Sequence, residues 1–214
     1  MISRLASVLA PAFGRMTVTA DSPDPVAGGT ILVSNHTSLF DPVLVVAALR
    51  GLGVEPVVMA AAGLWRVPVL GGALAREGHI PVHRRTARAA SSLDGAAEAL
   101  AAGRCVLMYG EGGIPSRRDS GEAAPLPFRS GLARLARTTG APVRPVGQAG
   151  ARRVSSGRAA KQIAGVLTAP ARRPRLHVHV GAPLSLPEGL PEATAAAHRA
   201  VTAAWRTAAA RLAG

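Results

Sequence analysis

Short apolar runs alternate with helix-like runs along most of this chain, and that alternation restricts the fold more than any other feature. Thr30–Ser34 reads as a buried strand. Asp41 and Pro42 open a helix that runs through Leu49, with Asp41 as N-cap, Pro42 at the first helical position and Gly51 as terminator. Pro56–Met59 is a second strand. Ile80–Val82 is a short, poor one, because Pro81 cannot donate to a ladder. Ala87–Ala102 reads as an Ala-rich helix, Cys105–Tyr109 as the clearest buried strand, and Ser130–Thr139 as a helix stopped by Gly140. Val143–Val146 follows as a strand. Arg175–Val180 alternates strictly, RLHVHV, the period of a half-buried strand that leaves His177 and His179 on a solvated face. Pro191–Leu212 closes the series as a helix with Val201, Ala204, Trp205, Ala208 and Leu212 on one stripe.

Strands alternating with helices predict an α/β protein with a mostly parallel central sheet flanked by helices. A length of 214 residues fits a single domain. Ligands of such sheets bind beyond the carboxyl ends of the strands. The loops after Ser34 and Tyr109 are therefore the first places to look for chemistry.

The loop after Ser34 reads SNHTSLFD, residues 34 to 41. His36 sits just past a buried strand, and Asp41 follows five residues on at the start of a helix. A chain that turns between them brings the carboxylate to one ring nitrogen. That contact selects the tautomer, stabilises the imidazolium and leaves the other nitrogen as a base. The same spacing also suits a plain helix cap at Asp41 with a turn residue at His36. The residues of this loop alone leave both readings open.

Other stretches extend the pattern. LWRVPVLGG at 64–72 is followed by GHIPVHR at 78–84. Tyr109-Gly110-Glu111-Gly112 follows a strand. PFRSGLARLA at 127–136 precedes APVRPV at 141–146. In this order, from about residue 29 to residue 181, these blocks resemble the glycerolipid acyltransferase family with its His-x4-Asp motif, which includes the 1-acylglycerol-3-phosphate and other lysophospholipid acyltransferases. The resemblance implies a glycerol-3-phosphate acyltransferase-like fold. It places an acyltransferase domain at 29–214, after an N-terminal segment at 1–28 that the residues themselves mark as amphipathic. It also implies transfer of a fatty acyl group from a coenzyme A or acyl carrier protein thioester to a lysophospholipid hydroxyl. The thioester is a co-substrate, and neither a further cofactor nor a metal is implied.

By the same resemblance, His36 is the base and Asp41 orients it. Arg84 holds the acceptor's phosphate as a planar, always-charged fork, with Arg85 beside it. Glu111 and Gly112 shape the acceptor pocket, and Asn35 and Ser38 join the substrate-binding set. The third block departs from the family's usual Phe-Pro-Glu-Gly-Thr-Arg-Ser. Gly110 replaces the Pro, Gly113 the Thr and Ile114 the Arg. Arg117, or its neighbour Arg118, is the candidate to restore the missing charge. The departure keeps a different acceptor in view, an amino-lipid or a specialised metabolite. A non-catalytic protein that binds acidic lipid is the reading from another class.

Charge narrows the partners. Lys and Arg number 25 against 12 Asp and Glu, a formal +13. Residues 123–187 contain no Asp or Glu, and Arg152–Arg173 reads as a basic surface segment. With 3% aromatic residues there is little for bases to stack on, so the sequence predicts acidic headgroups or an acidic carrier and no nucleic acid. Cys105 is the single cysteine, which excludes an internal disulfide and reads as a buried, inert thiol. The first residues form an amphipathic helix with Ile2, Leu5, Val8 and Leu9 on one face, rather than a cleaved signal peptide. No run is apolar enough to span a bilayer. The expectation is a cytoplasmic protein held peripherally at an acidic membrane surface. Val57, Met59, Leu64, Trp65 and Leu70 are the expected lining of an acyl groove.

Overall fold

The structure is a computed structural model that describes residues 2–83, 91–115 and 119–213. Seven strands form one sheet: β1 (Arg15–Ala20), β2 (Ile31–Ser34), β3 (Val57–Ala61), β4 (Ile80–Val82), β5 (Val106–Tyr109), β6 (Val143–Ala149) and β7 (Arg175–Val180). Their order is β1-β7-β6-β2-β5-β3-β4. Every pairing is parallel except β6 with β7. The expected fold class is therefore the observed one. β4, with Pro81 inside it, is an edge strand, where a missing donor costs least.

β2 is fully buried and pairs in parallel with both β5 and β6. The carboxyl ends of these three strands thus lie at one edge of the sheet. The loops carrying His36 and Glu111 leave from that edge, as does the loop at Gly150. Topology alone brings residues more than a hundred positions apart to one place.

Helices cover both faces. On one side α1 (Ile2–Phe13) packs on α2 (Asp41–Gly51), whose Leu44 to Leu49 are all buried. On the other lie α4 (Ser91–Ala101), α5 (Gly131–Thr139) and α8 (Leu190–Ala213). Among the described residues the remaining α-helices are α3 (Leu70–Arg76), α6 (Ala151–Val154) and α7 (Ala159–Arg172). α8 buries Ala193, Ala197, Val201, Ala204, Ala208 and Leu212. Small side chains at this helical spacing let α8 lie close to β6. Gly147 of β6 is at the contact, where a methyl group would run into the backbone of Ala204 and Trp205. A Gly147→Ala protein is expected to lose about 1–3 kcal/mol or more through overpacking, measured as a fall in thermal midpoint.

Several expectations need correction. The boundary at residue 28 falls inside the domain, because β1 pairs with β7 over six residues and α1 packs on α2. His177 and His179 are buried, not solvated, because β1 and α8 cover that side of β7. Thr17 Oγ1 meets His177 Nδ1 at 2.6 Å, Thr19 Oγ1 meets His179 Nδ1 at 2.9 Å, and His179 Nε2 lies 3.1 Å from Asp21. Burial holds the His177 ring below the usual histidine range. Val57 is wholly buried among core residues, so it lines no groove. His79 is buried as well, and its Nδ1 accepts the Val58 N–H at 3.0 Å. No helix among the described residues is long and apolar enough to cross a membrane.

Candidate active site

The first turn of α2 decides what Asp41 does. Phe40, not Asp41, is at the N-cap, and no side chain caps the helix. The Asp41 carboxylate turns back instead. Its Oδ2 accepts from His36 Nδ1 at 2.9 Å, from the Thr37 N–H at 2.5 Å and from the Ser38 N–H at 2.8 Å. Asp41 is completely buried. Three donors on one oxygen keep such a carboxylate in place and offset its burial. Of the two readings that the loop left open, the contact to His36 is the one the structure has.

His36 is consequently oriented from several sides. The carboxylate takes Nδ1, which leaves Nε2 with no hydrogen bond among the described residues. The ring stacks on Tyr109 at a centroid distance of 4.2 Å and an interplanar angle of 25°. Its backbone N–H donates to Glu111 Oε2 at 2.6 Å. An imidazole with a carboxylate on one nitrogen and an open second nitrogen can take a proton from a hydroxyl and pass it on.

Glu111 acts on the loops. Its Oε1 accepts the Leu126 N–H at 3.1 Å while Oε2 holds His36, so it ties three segments together. Burial pushes its carboxyl up to about 8, against two backbone hydrogen bonds that pull it down. The folded chain keeps this proton at pH values where the unfolded chain has released it. Stability drawn from Glu111 therefore falls as pH climbs from about 4.5 to about 8. Glu111→Gln has no proton to lose at this position. The thermal midpoint of the native protein minus that of Glu111→Gln is expected to shrink across this range, as read by melts at stepped pH.

The other expected site residues fall into place differently. Gly112 has a positive φ of 70°, and a Cβ there would press on Arg129. Ser38 is buried, and its Oγ donates to the Ser155 carbonyl at 2.6 Å. Asn35 is completely buried, and both ends of its amide are taken by the backbone of Gln148, at 3.1 and 2.9 Å. Its side chain holds β2 to β6. Arg84 and Arg117, with Arg85 and Arg118, lie outside the described residues.

Two residues of the site were not anticipated. Gln148 donates from its side chain to Thr37 Oγ1 at 3.1 Å. Arg152, read as part of a basic surface, is 2% exposed. It donates to the carbonyls of Thr37, Gly121 and Asp119 and lies 3.5 Å from the Asp119 carboxylate. Its charge braces the loop after His36. Sequence offered no signal for this, because Arg152 and Thr37 are 115 residues apart.

Beside the loop lies an open cleft of about 510 Å³, bordered by Thr37, Ser38 and Leu39 on one side and Ile114 and Pro115 on another.

Residues 15–148 match the Acyltransferase family. The chain belongs to the Acyltransferase family. Among solved structures it is similar to the 1-acyl-sn-glycerophosphate (LPA) acyltransferase PlsC from Thermotoga maritima. That match has a TM-score of 0.75 and 18% identity, and covers 100% of this chain and 79% of the other. At that identity the likeness establishes the shared fold. A comparison with curated proteins found no match. The family contributes acyl transfer, and the two loops at the end of β2 and β5 are where this acyltransferase has its ordered imidazole.

Proposed function

We propose that the protein transfers a fatty acyl group from an acyl thioester to the free hydroxyl of a lysophospholipid, foremost 1-acylglycerol-3-phosphate, giving phosphatidic acid. The thioester is acyl-coenzyme A or acyl carrier protein. The observation that carries this reading is His36, held by Asp41 at 2.9 Å with Nε2 left open. Nε2 takes the hydroxyl proton as the alkoxide oxygen attacks the thioester carbonyl. The C–S bond breaks, an ester C–O bond forms, and the proton goes to the departing thiolate. The chemistry requires no covalent acyl-enzyme, which agrees with an inert, buried Cys105. The decisive assay incubates purified protein with lysophosphatidic acid and acyl-coenzyme A or acyl carrier protein and follows thiol release. Absence of thiol with either donor ends this reading.

One observation favours a second acceptor. Ile114, which stands where the family pattern has arginine, borders the cleft. A panel of phosphate-bearing, phosphate-free and amine-bearing acceptors separates the two. Strong preference for lysophosphatidic acid rejects the alternative.

The reading includes peripheral attachment of a cytoplasmic protein to an anionic membrane. α1 packs through Ser3, Ala6 and Ala10, leaving Leu5 and Val8 57% and 69% exposed. The neighbouring α7 leaves Ile163 and Leu167 61% and 74% exposed. Arg4 on α1 and Arg172 and Arg173 at the end of α7 are exposed cations. Exposed apolar pairs with cations around them suit a surface of acidic headgroups. Leu167→Glu and Val8→Glu are each expected to weaken sedimentation with anionic vesicles by about tenfold or more. Unchanged binding in both variants rejects this face.

A further inference from the structure

The lining of the cleft includes groups that the acyl-transfer step does not use. We propose that Ser155, Arg158 and Gln162, at the start of α7, form a subsite for a phosphate ester carried by one of the two substrates; this rests on the acyl-transfer reading above.

α7 runs for 14 residues, and its N-cap is Arg158, in an extended conformation with no side-chain cap. The amides of its first turn thus have no side-chain acceptor. Together with the positive end of the helix they favour an anion. Arg158 is exposed at the cleft, and its guanidinium makes no hydrogen bond or ion pair among the described residues. Gln162 lines the same cleft and is anchored through Nε2 to the Gly157 carbonyl at 2.8 Å.

Ser155 supplies the independent observation. It is 5% exposed, yet it lines the cleft. Its N–H bonds to the Ala151 carbonyl at 3.0 Å, and its own carbonyl accepts Ser38 Oγ at 2.6 Å. Its hydroxyl has no partner among the described residues. An unpaired hydroxyl on a buried residue that lines the cleft, beside an uncapped helix start and an unpaired guanidinium, makes a receptor for an oxyanion.

The acids of the neighbouring loops are engaged elsewhere, Glu122 with the Gly150 N–H. Asp41 and Glu111 are committed to the His36 loop, and Asp119 lies by Arg152. The Ser38–Ser155 bond ties the subsite to the loop that carries His36. Both substrates offer a phosphate group: the acceptor its phosphate monoester, the donor the phosphates of coenzyme A.

Arg158→Gln and Ser155→Ala test the subsite on the full chain. Inorganic phosphate is expected to raise the thermal midpoint of the native protein and to raise it less in both variants. In kinetics, Arg158→Gln is expected to raise KM for one phosphate-bearing substrate by about tenfold or more. If that substrate is lysophosphatidic acid, with monoacylglycerol unaffected, the acceptor's phosphate is bound. If it is acyl-coenzyme A, with an acyl-pantetheine thioester unaffected, the donor's phosphate is bound. Equal losses on phosphate-bearing and phosphate-free substrates overturn the proposal. So do phosphate shifts and KM values within twofold of the native protein in both variants. If the native protein turns over no thioester but its phosphate shift is lost in Arg158→Gln, acyl transfer fails and the anion subsite stands.

Discussion

His36→Ala is expected to fold normally and to lose acyl transfer by about 10²–10⁴-fold. The fold survives because the loop is held by main-chain groups that alanine retains. The backbone N–H of residue 36 still reaches Glu111, and the N–H groups of Thr37 and Ser38 still reach Asp41. What disappears is the stacking on Tyr109 and the base itself. Steady-state thiol release, with a thermal melt beside it, separates loss of chemistry from loss of structure. Native activity in a folded His36→Ala protein would refute general-base catalysis at this position.

Asp41→Asn is expected to cost a factor on the order of 10³–10⁴ in turnover with the geometry preserved. Asparagine can place its carbonyl oxygen where Oδ2 now receives three donors, so the turn from Thr37 to Ser38 persists. Its amide nitrogen then faces Thr37 Oγ1, which lies 3.4 Å from Oδ1 and is able to accept. Only the negative charge is lost, and with it stabilisation of the imidazolium that forms as the hydroxyl is deprotonated. Because Asp41 works through the ring, His36→Ala with Asp41→Asn is expected to be no slower than His36→Ala alone. Additive losses would mean that the carboxylate acts on substrate directly.

The pair itself was legible because it is local. Five residues separate His36 from Asp41, and a strand followed by a helix leaves few ways to join them. The role of Asp41 was not settled by that spacing, since a cap and a ring contact use the same residue. It was settled by where the carboxylate points. α1 shows the opposite case. Its apolar stripe was legible, but the buried residues of the helix are the small ones beside it, Ser3, Ala6 and Ala10, and Leu5 and Val8 of the stripe stay outside.

Period and punctuation in the chain were sufficient to determine an α/β sheet, the strand before His36 and the helix after it, because these depend on neighbours a few residues away. Membership of an acyl-transfer family was likewise carried by short blocks in a set order. Only the tertiary structure decided that Arg152 and Gln148 brace the His36 loop, that the RLHVHV strand is buried on both sides and that Ser155 opens onto the cleft. Each of these depends on strands and helices brought together from distant parts of the chain, and no local pattern of apolar and polar residues encodes which of them will meet.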